Sequence, residues 1–169
     1  MNILRGAVPP YPSTDGIIKN NRISLAVSAL RLTKLNMISD YIYYSLLLKS
    51  ERAELSLLLD RIAGNELLHF RLLGELMLAL GANPSVRGRI LTYTTDFVQS
   101  DEDLRTLLER VIKSENDAYR AYINLALEGK GDPKLDEFLR RLASDDENHE
   151  RIFSLALRKE FGEKQNGLH

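Results

Sequence analysis

The 169 residues suffice for one domain with a real core. A 44% hydrophobic and 28% charged composition is that of an ordinary soluble globular chain, and the net charge of −1 excludes the basic excess of a nucleic-acid or anionic-membrane binder. No run approaches the roughly 18 uninterrupted apolar residues that span a bilayer. With no cysteine, disulfides, thiolate metal sites and a cysteine nucleophile are ruled out.

Pro9, Pro10 and Pro12 make residues 1–20 an extended lead-in and interrupt the only candidate apolar stretch of a leader, so a cytoplasmic location is expected. The first helix is predicted from about Asn21 to Lys49, where Val27, Leu30, Ile38, Tyr41 and Leu48 recur at helical spacing. The second starts after Ser50 as N-cap and ends at Gly81, with Pro84 beyond. The third starts near Ser100 and Asp101 and runs to about Glu128. Asp132-Pro133 opens the fourth, a cap followed by proline at the first helical position; it runs to about Phe161, before a tail over 162–169.

The first and third connections are short, so each joins an antiparallel hairpin. The middle one, Gly81 to about Gln99, is longer than an ordinary helix–helix loop and long enough to cross a bundle. Two hairpins joined by one long crossover make an all-α, ferritin-like four-helix bundle over residues 21–161. The halves also resemble each other. Arg61-Ile-Ala-Gly-Asn-Glu-Leu-Leu-His69 aligns with Arg141-Leu-Ala-Ser-Asp-Asp-Glu-Asn-His149 at an offset of 80, and Tyr41 corresponds to Tyr122. The sequence reads as a duplicated helical hairpin.

Residues three apart share a helical face, so Glu66 with His69, and Asp146 with His149, can each address one ion. Carboxylate oxygen and neutral imidazole suit iron, manganese or zinc. Di-iron carboxylate bundles add a lone carboxylate from each remaining helix. Glu115 fills that role on the third helix, seven residues before Tyr122. The matching position on the first helix is Lys34, and Asn36 and Asp40 point roughly 160° and 120° away from it. A lysine inside the bundle must pair with Glu66 or another carboxylate, because a buried unpaired charge is costly. Its ammonium then replaces part of the charge of a second ion. The alternative is a lysine that snorkels outward. Tyr41 and Tyr122 line the same faces as the cluster; core packing is the plain reading of both, and metal-free redox chemistry a remote one.

From about residue 20 to 160 the chain resembles bacterial ferritin-like proteins related to the di-iron domain of rubrerythrin and to spore-coat manganese-catalase-like proteins. The segments Ser39-Asp-Tyr-Ile-Tyr43, Arg61 to His69, and Gly81 to Pro84 are similar to their first hairpin; Glu115…Ala118…Tyr122 and Ala143 to His149 are similar to their second. The resemblance implies iron or manganese, one or two ions, with peroxide reduction, oxygen activation or iron oxidation as activities, and often a homodimer. Two positions depart from the family pattern: Lys34 stands for a glutamate, and Asp146 for a longer acid. With no cysteine in these 169 residues, no rubredoxin-like module is expected. Two functions follow as expectations. One is a metal-binding, redox-linked protein with a modified site made by Glu66, His69, Glu115, Asp146 and His149. The other is a non-catalytic relative in which Lys34 neutralises the old acidic cluster and the bundle serves structure or assembly.

Overall fold

The computed structural model describes residues 10–85 and 103–162. Four helices, α1 (Asn21–Leu48), α2 (Ala53–Ala79), α3 (Leu104–Glu128) and α4 (Pro133–Phe161), form a ferritin-like bundle. Their ends follow local chemistry. The Asn20 side chain accepts from the Ile23 N–H at the start of α1, and Asp103 accepts from Thr106 at the start of α3. At the end of α2, Gly81 adopts φ +90°; its N–H donates to the Leu78 carbonyl and that of Ala82 to Met77, a Schellman closure. Ser50 is not the N-cap of α2. The Arg52 N–H still reaches back to the Leu48 carbonyl, so residues 49–51 prolong the curl of α1 and the cap position moves to Arg52. The expected α3 start at Ser100 and Asp101 lies outside the described residues.

Two apolar layers show the topology. At one end Ile23, Val27, Leu76, Leu80, Leu125 and Leu135 meet; at the other, Tyr44, Leu55, Leu59, Leu107, Val111 and Phe153. Each end therefore takes the start of α1 and α4 with the finish of α2 and α3, or the reverse. α2 and α3 run parallel, and the connection between them must return the length of the bundle. That connection lies mostly at 86–102, outside the described residues. α1 packs chiefly on α2, and α3 on α4, as two hairpins. No helix among the described residues is long and apolar enough to cross a membrane.

The lead-in is tied down rather than loose over 10–20. Ile17 is buried, the Asn20 N–H donates to the Leu80 carbonyl, and the Ile18 N–H donates to Asp132 Oδ2 at 2.7 Å. Asp132 also caps α4, its Oδ1 accepting from Leu135 at 3.1 Å. One carboxylate thus holds a helix start and a strap. Asp132→Ala is expected to cost about 1–2 kcal/mol, the usual loss for an N-cap. A denaturant midpoint equal to that of the parent chain would contradict it.

Candidate metal centre

Between the two apolar layers lies a polar layer made by all four helices. Lys34 of α1, Glu66 and His69 of α2, Glu115 of α3, and Asp146 of α4 are each 0% exposed, and His149 of α4 is 5% exposed. The structure brings every sequence-predicted site residue into this layer. Asn36 is exposed, and Asp40 instead pairs with Arg110 at 2.9 Å.

Lys34 points inward. Its Nζ lies 2.7 Å from Glu66 Oε2 and 2.7 Å from Asp146 Oδ2. The other oxygens of these two acids serve the histidines: Glu66 Oε1 is 3.0 Å from His149 Nδ1, and Asp146 Oδ1 is 3.3 Å from His69 Nδ1. Glu66 therefore joins Lys34 to His149, and Asp146 joins Lys34 to His69. Glu115 belongs to one half only. Its Oε2 is 3.4 Å from His149 Nδ1, and its Oε1 accepts from the Tyr41 hydroxyl at 2.6 Å. The Tyr122 hydroxyl is buried, with no hydrogen-bond partner among the described residues.

The arrangement is lopsided. Glu66, Glu115, Asp146 and His149 each offer one ligand atom, all within 4.8 Å of one another. Among the described residues, Glu66 Oε1 and Oε2, His69 Nδ1, Glu115 Oε2, Asp146 Oδ1 and His149 Nδ1 are buried, yet none makes a well-directed hydrogen bond. Buried polar atoms are normally satisfied by hydrogen bonds, so acid oxygens and an imidazole nitrogen that meet only in charge contacts suit a shared cation. Three carboxylates and one imidazole form a donor set that fits iron or manganese. The His69 half is instead taken by the Lys34 ammonium.

His69 has a further partner that the sequence did not reveal. Its Nε2 is 3.1 Å from Asp145 Oδ2, and Asp145 also accepts from Tyr11 at 2.5 Å and from Arg141 at 2.5 Å. The Tyr11 ring meets His69 edge-on at 6.1 Å, and the Arg141 guanidinium lies over Tyr11. The lead-in thereby closes the His69 side with an aromatic plug. Asp145 holds the outer nitrogen of His69, the usual way an imidazole is oriented toward a cation centre. Asp145 read only as a neighbour of Asp146, and Tyr11 sits in a segment without periodicity.

Electrostatics follow from burial and pairing. Desolvation pushes Glu66 up, but the Lys34 charge together with His149 and His69 outweighs it and holds the acid well below its usual range. Desolvation and the nearby Glu66 charge push Glu115 up. Tyr41 and Tyr122 are raised well above 10.0 by burial and then by the carboxylates, so both stay neutral phenols. Burial alone would lower both histidines; Glu115 and Glu66 instead raise His149 to about 9, and Asp145 and Asp146 raise His69 well above its ordinary value.

A histidine proton held more tightly in the fold than in the unfolded chain stabilises the fold below its ordinary value of 6.5. That gain is lost as pH rises through about 9. Chelator-treated protein is therefore expected to melt at falling temperature from pH 6.5 to 9. A melting temperature that is flat or rises over this window would contradict the assignment.

Residues 38–165 match the family model described as Rubrerythrin. Among solved structures, the chain is similar to the bacterioferritin of Desulfovibrio desulfuricans, described with its diiron site in different catalytic states. The TM-score is 0.68 at 18% identity, over 84% of this chain and 82% of that chain. At that identity the likeness concerns the fold. No curated protein matches the chain.

Proposed function

The chain belongs to the rubrerythrin family, and from that premise we propose that it binds one divalent iron or manganese ion where its relatives' pattern provides for two. Glu66, Glu115, Asp146 and His149 hold the ion, and the Lys34 ammonium stands in for the second. The observation that carries this reading is the pair of 2.7 Å contacts from Lys34 Nζ to Glu66 and Asp146, the two acids that join the lysine to the histidines. Charge supports it. With both histidines neutral, three carboxylates against one lysine leave two negative charges in the buried layer, the charge of one divalent ion. A glutamate-to-lysine exchange changes the charge by two, so the lysine takes up what a second ion would have supplied.

A bound iron or manganese ion would supply one-electron redox chemistry, with peroxide or oxygen as the small oxidant. The protein's own contribution is a buried site whose side chains are held in place. Tyr41 donates to Glu115 and fixes its carboxylate, Asp145 orients His69, and Tyr11 shuts the lead-in side. His149 is the cluster residue that reaches the surface, so access belongs on its side.

The second reading, a metal-free structural bundle, draws on the same layer. With both histidines protonated, Lys34, His69 and His149 balance Glu66, Glu115 and Asp146 without any ion. The two readings part on binding. Chelator-treated protein titrated with Mn²⁺ and followed by electron paramagnetic resonance is expected to take up one equivalent with the signal of an isolated ion. A spin-coupled pair would overturn the single-ion reading, and free Mn²⁺ throughout the titration would favour the metal-free bundle.

A further inference from the structure

Away from the buried layer, a cavity of about 380 Å³ opens between the start of α3 and the finish of α4. That volume is near the small end of the roughly 300–1,000 Å³ typical of small-molecule sites. Arg105, Glu109 and Ile112 line it from α3, and Leu157, Arg158 and Phe161 from α4. Steps of three and four put each set on one helical face, so two faces wall one groove. Ile112 and Leu157 are half-buried and supply apolar lining. The cations here are underused within the chain. Next to them, Lys159 pairs with Glu54 at 2.5 Å and Arg52 with Glu160 at 3.6 Å, tying the start of α2 to the finish of α4. Arg158, between these pairs and the groove, has no ion pair or side-chain hydrogen bond among the described residues. The Arg105 guanidinium lies 4.5 Å over the Phe161 ring and meets Glu109 only loosely, at 3.7 Å. A guanidinium stacked on a ring keeps the N–H groups of its edge available to a carboxylate.

We propose that this groove binds a small aromatic monocarboxylate, its carboxylate held by Arg105 and Arg158 and its ring laid against Phe161, Ile112 and Leu157. Charge selects the monoanion. Two guanidiniums against the single carboxylate of Glu109 leave one positive charge in the groove, which one carboxylate balances. A dianion, such as a phosphate ester, would leave a negative charge uncompensated beside Glu109. Shape selects the ring. The Arg105–Phe161 stack presents a flat surface, and rings pack on such surfaces with more than their buried area alone contributes. The volume admits one or two fused rings and no nucleotide-sized ligand. The proposal does not depend on the metal reading, since none of these residues belongs to the cluster.

The test is a titration of the full chain with 2-naphthoate, followed by calorimetry. One molecule is expected to bind per chain with a Kd of about 1 mM or tighter, the range open to a ligand of this size. Arg158→Gln should weaken binding about 5–10-fold with unchanged helicity, the loss of one charge-assisted contact at a partly exposed site. Arg71→Gln makes the same charge change on α2 and should leave binding as it is. Phe161→Leu should weaken it about 3-fold, through loss of the ring stack. The uncharged 2-naphthalenemethanol should bind at least about 10-fold more weakly than the acid. Absence of saturable naphthoate binding would overturn the proposal, as would equal binding of the acid and the alcohol. So would equal effects of Arg158→Gln and Arg71→Gln, which would leave Arg158 as a charge that only offsets the dipole at the end of α4.

Discussion

Lys34→Ala is expected to lower the stability of the metal-free protein by about 3–5 kcal/mol, the loss typical of removing one partner from a buried ion pair. The cause is electrostatic rather than steric. Lys34 Nζ touches Glu66 and Asp146 with all three side chains fully buried, so its removal leaves acids in a medium that cannot solvate them. Added Mn²⁺ should restore much of the loss, because binding to the folded state alone stabilises it. Lys34→Glu should go further. The metal-free variant gathers four buried carboxylates and should be less stable than Lys34→Ala, while the loaded variant should hold two ions instead of one. The check is a set of denaturant midpoints with and without the ion, alongside the bound stoichiometry. If neither variant lost stability without metal, Lys34 could not be the counter-charge of the cluster.

The second large effect is an asymmetry between two histidines that look equivalent in sequence. His149→Ala is expected to weaken Mn²⁺ binding by about 100-fold or more, about 2.8 kcal/mol. His69→Ala should weaken it by less than about 10-fold, about 1.4 kcal/mol. His149 Nδ1 faces Glu66 and Glu115 on the open half of the layer. His69 faces the half that Lys34 occupies, and its outer nitrogen is engaged by Asp145. Calorimetric titration of the two variants separates these outcomes. Equal losses would mean that the halves are equivalent and that Lys34 does not exclude an ion from either.

Much of this was legible in the sequence because it is carried by helical spacing. The duplicated acid-x-x-His units, Glu115 and Lys34 share one inward face, and helical phase suffices to line up 34 with 38 and 41, or 115 with 122. The Asp132-Pro133 start and the Gly81 stop were equally plain, since each depends on a local backbone need. Contacts without a period were not legible. Tyr11 reaches Asp145 across 134 residues from a proline-rich segment, and nothing local distinguishes that tyrosine from an exposed one. Ser50 failed as a cap for a related reason: the turn after α1 kept curling, and tertiary continuity outweighed the side-chain preference.

On the proposed reading, one ion and one lysine occupy the layer that the family pattern fills with two ions. Anomalous diffraction at the manganese edge, from crystals grown with excess Mn²⁺, tests it most directly. A single peak among Glu66, Glu115, Asp146 and His149, with the Lys34 ammonium still against Glu66 and Asp146, is the expected result. Two peaks, or no peak within this layer, would contradict it.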